Sequence, residues 1–404
     1  MIIQITLGEF CPFKYGKGLS ANKRLSGNFP VYGSNGVVDS HNEAYVKTHG
    51  IVIGRKGSVG ALHISNGPFW PIDTSFYVVK GDYFETLYTF YLLRSLGLGG
   101  MNSDSAVPGL NRDNAHALKV NILEKREERS AVGKLLSKFD DKIENNRRIN
   151  ETLEDMARAI FKSWFVDFDP VHAKAAGNAP AHMDADTAAL FPSSFGDDGL
   201  PVDWSLGKLS DLVDLNPTER IKKGELSSYV EMANLPTSGS SISNVVLREF
   251  KSGTKFRNGD TLLARITPCL ENGKTAYVDV LNDGEVAWGS TEYIVMRTKD
   301  PLPKFYSYVL ARNEHFREHA IRSMTGTSGR QRAQADMVAA YEVVIPSNQV
   351  AFAFSEKCQN WFSKIRCNAS ENKILTELRD TLLPKLMSGE IRVKDAEREV
   401  EKAL

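Results

Sequence analysis

The stretch KIENNRRINETLEDMARAIFKSWF, Lys142 to Phe165, contains no proline or glycine. Its apolar residues Ile143, Leu153, Ile160 and Trp164 fall on one face at the spacing of a helix. That face is narrower than one lining a globular core, so it asks for one other helix as a partner. Asn146 and Asn150 lie inside the same stripe. Amides in an apolar seam need a reason.

The partner is found by internal repetition. At a single offset of 222 residues, Val132, Leu136, Phe139, Ile143, Asn146, Asn150, Leu153, Ala157, Ile160 and Trp164 recur as Phe354, Cys358, Trp361, Ile365, Asn368, Asn372, Leu375, Arg379, Leu382 and Leu386. The steps alternate between three and four, the period of a coiled-coil seam. Antiparallel pairing about a pseudo-two-fold near residues 148 and 370 sets Asn146 against Asn372 and Asn150 against Asn368. It also sets Ile143 against Leu375, Leu153 against Ile365 and Ile160 against Cys358. Only Phe139 meets a charged residue, Arg379, whose stem can lie along the ring. Central amide pairs lower stability but fix register; the alternative is amides at the seam's edge, bonded to water. Helices of about 40 residues would make a rod roughly 60 Å long.

Repetition continues upstream. TLGEF (6–10) resembles SLGKL (205–209), and GIVIGRKGSVG (50–60) resembles GDTLLARITPC (259–269), with Arg55 set against Arg265. TSFYVV (74–79) resembles STEYIV (290–295), with Tyr77 against Tyr293. A helical stretch follows in each half, then SAVPGLNRDNAHAL (105–118) or TGTSGRQRAQADMV (325–338), then a short apolar strand. The expected architecture is α+β: two mixed globular domains joined by two long antiparallel coiled-coil helices, with an internal pseudo-two-fold repeat. The boundaries read as a first domain at 1–122, a helix at 123–166, a linker at 167–201, a second domain at 202–346, a helix at 347–390 and a tail at 391–404. The linker is rich in Ala, Pro, Gly and Asp, the composition of an exposed connection.

Composition bounds the function less tightly. Hydrophobic and charged fractions of 42% and 25% are ordinary for a globular protein. The net charge of zero neither supports nor excludes a nucleic acid, because binding depends on local patches. The N-terminus MIIQITLGEF does not read as a signal peptide, and no apolar run approaches the roughly 20 residues of a membrane span. Four cysteines without a CxxC pair fit a reduced, cytoplasmic setting better than a disulfide framework or zinc site.

Three pieces resemble the specificity (S) subunits of type I restriction–modification systems: SAVPGLNRDNAHALKV, AIFKSWFVDFDPVHAK (159–174) and LRDTLLPKLMSGEIRV (378–393). The alternation of two variable domains with two long helices extends the resemblance over the whole chain. It departs in the second loop, TSGRQR where the first reads VPGLNR. The resemblance implies two target-recognition domains, each reading half of a split site on double-stranded DNA, with the helices setting the spacer. It implies docking of two methyltransferase subunits, and of restriction subunits in the full complex. This chain would bind no cofactor itself; S-adenosylmethionine, ATP and Mg would belong to the partners, and the methyl group would go to adenine N6.

No catalytic or metal site is legible. FDPV (168–171) lacks the second proline and the aromatic of an adenine-methyltransferase loop. NGKT (272–275) follows Pro268 where a phosphate-binding loop has its first glycine. HNE (41–43) with PCLEN (268–272) carries Asn272 in place of a second cysteine ligand. The rival readings are a coiled-coil scaffold whose twin domains bind protein or carbohydrate, and a self-sufficient restriction enzyme.

DNA contacts need Arg, Lys, Asn, Gln, Ser or Thr on exposed loops. The candidates are Arg55, Lys56 and Ser58 in GRKGSVG, with Arg265, Thr267 and Lys274 as counterparts. Asn111 and Arg112 in GLNRDN join Arg330, Gln331 and Arg332 in GRQR, with Arg112 and Arg332 assigned to phosphates. Each reads equally as a solvated loop charge. Lys14, Lys17, Lys23 and Arg24 would add a basic patch. Trp164, Phe165, Phe168, Leu383 and Leu386 exceed what the seam can bury, and the helix is expected to break at Pro384; these apolar residues are the candidates for partner docking, or for packing on the adjacent domain.

Overall fold

The computed structural model describes residues 1–101, 109–327 and 329–403. The first four residues of SAVPGLNRDNAHAL and Ser328 of the second loop lie outside the described residues. The chain forms two compact units, one of Met1–Glu144 with Asn372–Leu404, the other of Asn145–Glu371. The long helices, Arg126–Phe165 and Asn348–Met387, are each shared between the units. Unit boundaries therefore fall inside the helices, because the two ends of each helix pack into different cores. The second helix also runs three residues beyond Pro384 instead of breaking there. A proline at this position removes a single N–H···O=C bond, and the turn continues past it, with Ser388 N donating to Pro384 O at 2.9 Å.

The first unit holds a four-stranded antiparallel sheet in the order Lys14–Tyr15, Ser75–Val78, Gly50–Gly54, Leu62–Ser65. A second sheet orders Gly36–His41, Phe29–Gly33 and Trp70–Pro71, the last pair parallel. A ribbon pairs Ile2–Thr6 with Lys119–Leu123. Asp82 caps the helix Tyr83–Ser95 by accepting from Glu85 N at 2.8 Å, and Ser130 of the long helix donates to the same carboxylate at 2.7 Å.

The second unit repeats this plan. Its first sheet orders Val213–Leu215, Tyr293–Thr298, Asp260–Ala264 and Thr275–Tyr277. Its second places Val246–Glu249, Leu226–Val230 and Val286–Gly289 in the same order, again with the last pair parallel, and adds Thr254–Arg257 at the edge. Ser205–Lys208 pairs with Glu342–Ile345.

Hydrogen bonds align the halves differently from the motifs. Leu7 N donates to Leu118 O and Leu209 N to Tyr341 O, so TLGEF matches KLSDL, three residues later than expected. Gly54 pairs with Ser75 and Ala264 with Tyr293, so Tyr77 matches Val295 and not Tyr293. A two-residue slip keeps every side chain on its face, which is why hydropathy alone did not detect it.

The long helices pair antiparallel. Ile143 and Leu375 share the first unit's core, while Leu153, Ile160, Cys358 and Ile365 belong to the second's. Asn368 Nδ2 donates to Asn150 Oδ1 at 2.7 Å, and Asn146 Nδ2 donates to Glu371 Oε2 at 2.8 Å. Arg379, expected opposite Phe139, bonds Asp140 through its guanidinium, and the other oxygen of Asp140 accepts from Tyr91 OH at 2.6 Å. Asn150→Leu is expected to lower stability by about 1–3 kcal/mol, because it strands the buried amide of Asn368. Adding Asn368→Leu should recover most of that loss. Thermal unfolding of the single and double variants reads both effects; equal melting for wild type and Asn150→Leu would refute the pairing's role.

Two segments are more structured than their composition suggests. Residues 167–201 form the helices Asp169–Ala175 and Ala185–Ala189, and Val171 and Phe191 are buried. Phe191 packs edge-on to Trp164, with ring centroids 5.0 Å apart. A few well-spaced apolar residues anchor a stretch whose average composition is that of a linker. The tail folds as Val393–Ala403, with Val393, Ala396 and Val400 on the first unit's core and Lys138 bridging Glu397 at 3.6 Å.

Candidate nucleic-acid interface

In each unit a fully buried strand at the middle of the first sheet delivers an arginine to a loop. Arg55 follows Gly50–Gly54, and Arg265 follows Asp260–Ala264. The Arg55 guanidinium lies 5.0 Å from the Tyr15 ring centre, and its Nη1 donates to Asp73 O at 3.0 Å. Arg112 approaches the same ring at 4.9 Å and contacts Asp113 at 3.3 Å. Lys56 is exposed, its backbone bridged to Gly109, and Ser58 Oγ donates to Asn35 at 3.3 Å. The structure brings Arg55, Lys56, Ser58 and Arg112 onto one loop cluster.

Asn111 has a different role. Its Oδ1 accepts from Asp113 N at 2.9 Å and Asn114 N at 3.0 Å, capping the helix Arg112–His116. An asparagine ahead of a helical turn is a cap before it is a base reader.

The second unit differs in charge. Leu110 N donates to Arg55 O and Ala333 N to Arg265 O, so Asn111 matches Gln334 and Arg112 matches Ala335. Arg332 is therefore not the counterpart of Arg112. Glu292 holds its guanidinium in a fork at 2.8–2.9 Å, and those hydrogen bonds raise its pKa further. A carboxylate so placed offsets the charge that a phosphate contact would use. Lys274 is tied down as well, donating to Met232 O at 2.7 Å. Thr267 N donates to Gln331 O at 3.0 Å, joining the two loops, and Arg265 reaches Gln334 at 3.5 Å. Arg330 stays exposed.

Some neighbours were not picked out from sequence. Tyr15 is one. Trp70 and Trp288 are others, each on the parallel pair of the second sheet. Lys17 Nζ lies 5.7 Å from the Trp70 ring, and Tyr229 packs on Trp288 at 4.4 Å with Arg248 over it at 4.2 Å. The signal was a tryptophan five residues before Ser75 and again before Tyr293. Of the N-terminal basic residues, Lys14, Lys17 and Lys23 are exposed, while Arg24 pairs with Asp39 at 3.3 Å.

Comparison with known proteins bears on this geometry. Residues 4–155 match the family model for the type I restriction modification DNA specificity domain. The specificity subunit of the type I restriction enzyme HindI from Haemophilus influenzae is 27% identical over 344 residues, 70% of this chain and 71% of that one. The specificity subunit of the type I enzyme MjaIX from Methanocaldococcus jannaschii is 22% identical over 362 residues, 85% of this chain and 78% of that one. In sequence the chain is similar to type I restriction–modification specificity subunits. Its fold also matches the crystal structure of the S subunit from the M. genitalium type I system, with a TM-score of 0.60, 15% identity and 96% of each chain covered.

Of the residues expected to dock partners, Trp164, Phe165 and Leu386 are buried, and Phe168 and Leu383 are half-buried. Trp164 and Phe165 are buried in the second unit's core, and Phe168 packs on Trp204 at 5.9 Å. Leu386 is buried in the first unit's core, with Leu383 partly buried beside it. The apparent excess of apolar surface is covered by the segment after the first helix and by the C-terminal helix. Among the described residues, the large hydrophobics that the long helices leave exposed are Met156, Phe352 and Ile374. No helix among the described residues is long and apolar enough to cross a membrane.

Proposed function

We propose that this chain is a specificity subunit that reads a bipartite site on double-stranded DNA, one half with each unit, and contributes recognition rather than catalysis. The observation that carries the reading is the repeat itself. One sheet order recurs in both units, and in both its central strand ends in an arginine on a loop. Methyltransferase subunits, and restriction subunits in the full assembly, would supply S-adenosylmethionine-dependent adenine methylation and ATP- and Mg-dependent cleavage in the cytoplasm.

The test is to map methylated adenines in the host genome with the subunit present and deleted. A single bipartite motif that disappears on deletion supports the proposal. With purified methyltransferase partners, binding to that motif should weaken steeply as salt rises. Salt-insensitive or absent DNA binding favours the scaffold reading. Methylation by the purified chain alone would reveal a self-sufficient enzyme.

A further inference from the structure

We propose that Tyr15, Arg55 and Arg112 form a subsite particular to the first half-site, which reads a guanine edge by bidentate hydrogen bonds. This rests on the reading of the chain as a DNA recogniser.

Three elements distant in sequence build the subsite. Tyr15 comes from the edge strand, Arg55 from the end of the central strand, and Arg112 from the helical turn that follows the Lys56–Gly109 bridge. Both guanidiniums converge on one ring, at 5.0 and 4.9 Å from its centre, and Tyr15 is 46% exposed. Two like charges gathered this closely repel each other. The ring face offsets part of that repulsion; among the described residues, the acidic side chain paired with them is Asp113 beside Arg112, and that side chain is 83% exposed. The site is left with net positive charge and with planar donors already oriented. A guanidinium stacked on a ring still presents its in-plane N–H groups, the geometry that matches O6 and N7 of guanine.

The second unit lacks this arrangement. Asn216 bonds Val295 through N and Oδ1, so the next residue, Pro217, occupies the place of Tyr15. Ala335 occupies that of Arg112, and among the described residues no aromatic ring stands under the Arg265 guanidinium. A backbone contact common to both halves would be expected to recur; a base-reading set should differ between them.

The test uses the complex with its methyltransferase subunits and duplexes carrying the mapped motif. Arg55→Ala and Arg112→Ala should each weaken binding tenfold to a hundredfold. Each should lose discrimination at one guanine of the first half-site while keeping discrimination in the second. Replacing that guanine with 7-deazaguanine should weaken wild type and leave Arg55→Ala or Arg112→Ala nearly unaffected. Tyr15→Phe, which keeps the ring, should lose less than Tyr15→Leu. Retained discrimination at the other positions of the first half-site shows that each variant is folded. Uniform weakening on all sequences, with a salt slope lower by about one, would mark a phosphate contact and overturn the proposal. Unchanged binding would overturn it as well. A wild-type complex without any bipartite preference would instead defeat the underlying DNA-recognition reading.

Discussion

Glu154→Leu is expected to destabilise the second unit by about 3 kcal/mol, through loss of hydrogen bonds to a charged acceptor. Glu154 is 7% exposed. Its Oε1 accepts from Ser240 N at 2.9 Å and Ser240 Oγ at 2.8 Å, and its Oε2 accepts from Tyr308 OH at 2.6 Å. Burial, reinforced by the Glu154 charge, pushes the Tyr308 hydroxyl well above its ordinary pKa, so it remains a donor at working pH. Its oxygen also accepts from Arg312 Nε at 3.2 Å, and Arg312 in turn bonds the carbonyls of Thr237, Gly239, Gly273 and Thr275. Leucine fills the space but leaves these donors stranded in a dry site. Thermal unfolding should show a fall of roughly 6–12 °C in Tm. Glu154→Gln retains an acceptor and should lose about half as much. An unchanged Tm for Glu154→Leu would remove the network from any account of stability. The first unit uses the same chemistry through Tyr91 and Asp140, with Arg379 in attendance.

Four residues inserted between Asn146 and Asn150, matched by four between Asn368 and Asn372, are expected to lengthen the spacer without altering either half-site. Four residues add about 6 Å of helix and slightly more than one turn, so each seam returns to nearly the same face. At roughly 3.4 Å per base pair, that corresponds to one or two extra base pairs between the half-sites. Genome-wide mapping of methylated adenines reads the result directly. Altered half-sites, or an unchanged spacer, would defeat the ruler.

What was legible from sequence was whatever repeats at fixed spacing. The seam from Val132 to Trp164 needed only the helical period, and its recurrence from Phe354 to Leu386 identified the partner and the antiparallel sense. The Asn150–Asn368 bond lies where that register put it. Arg55 and Arg265 could be matched because each follows a short strand rich in apolar β-formers. Matching failed where the motifs were short and built from common residues. Tyr77 slipped by two places against the second half, and Arg112 was paired with an arginine three residues from its true counterpart, Ala335.

The sequence by itself determined the two long helices, their pairing and the doubling of an α+β plan, since periodicity and repetition are properties of one dimension. Tertiary structure alone decided which charges are available to a ligand. Arg332 and Lys274 looked as free as Arg55 on paper, yet Glu292 and the Met232 carbonyl hold them. It also decided that Trp164 and Phe165 are core, because the residues covering them come from a stretch with the composition of a linker. The reason is the same in both cases. Charge pairing and burial depend on residues far away in the chain, and no local pattern encodes how close folding brings them.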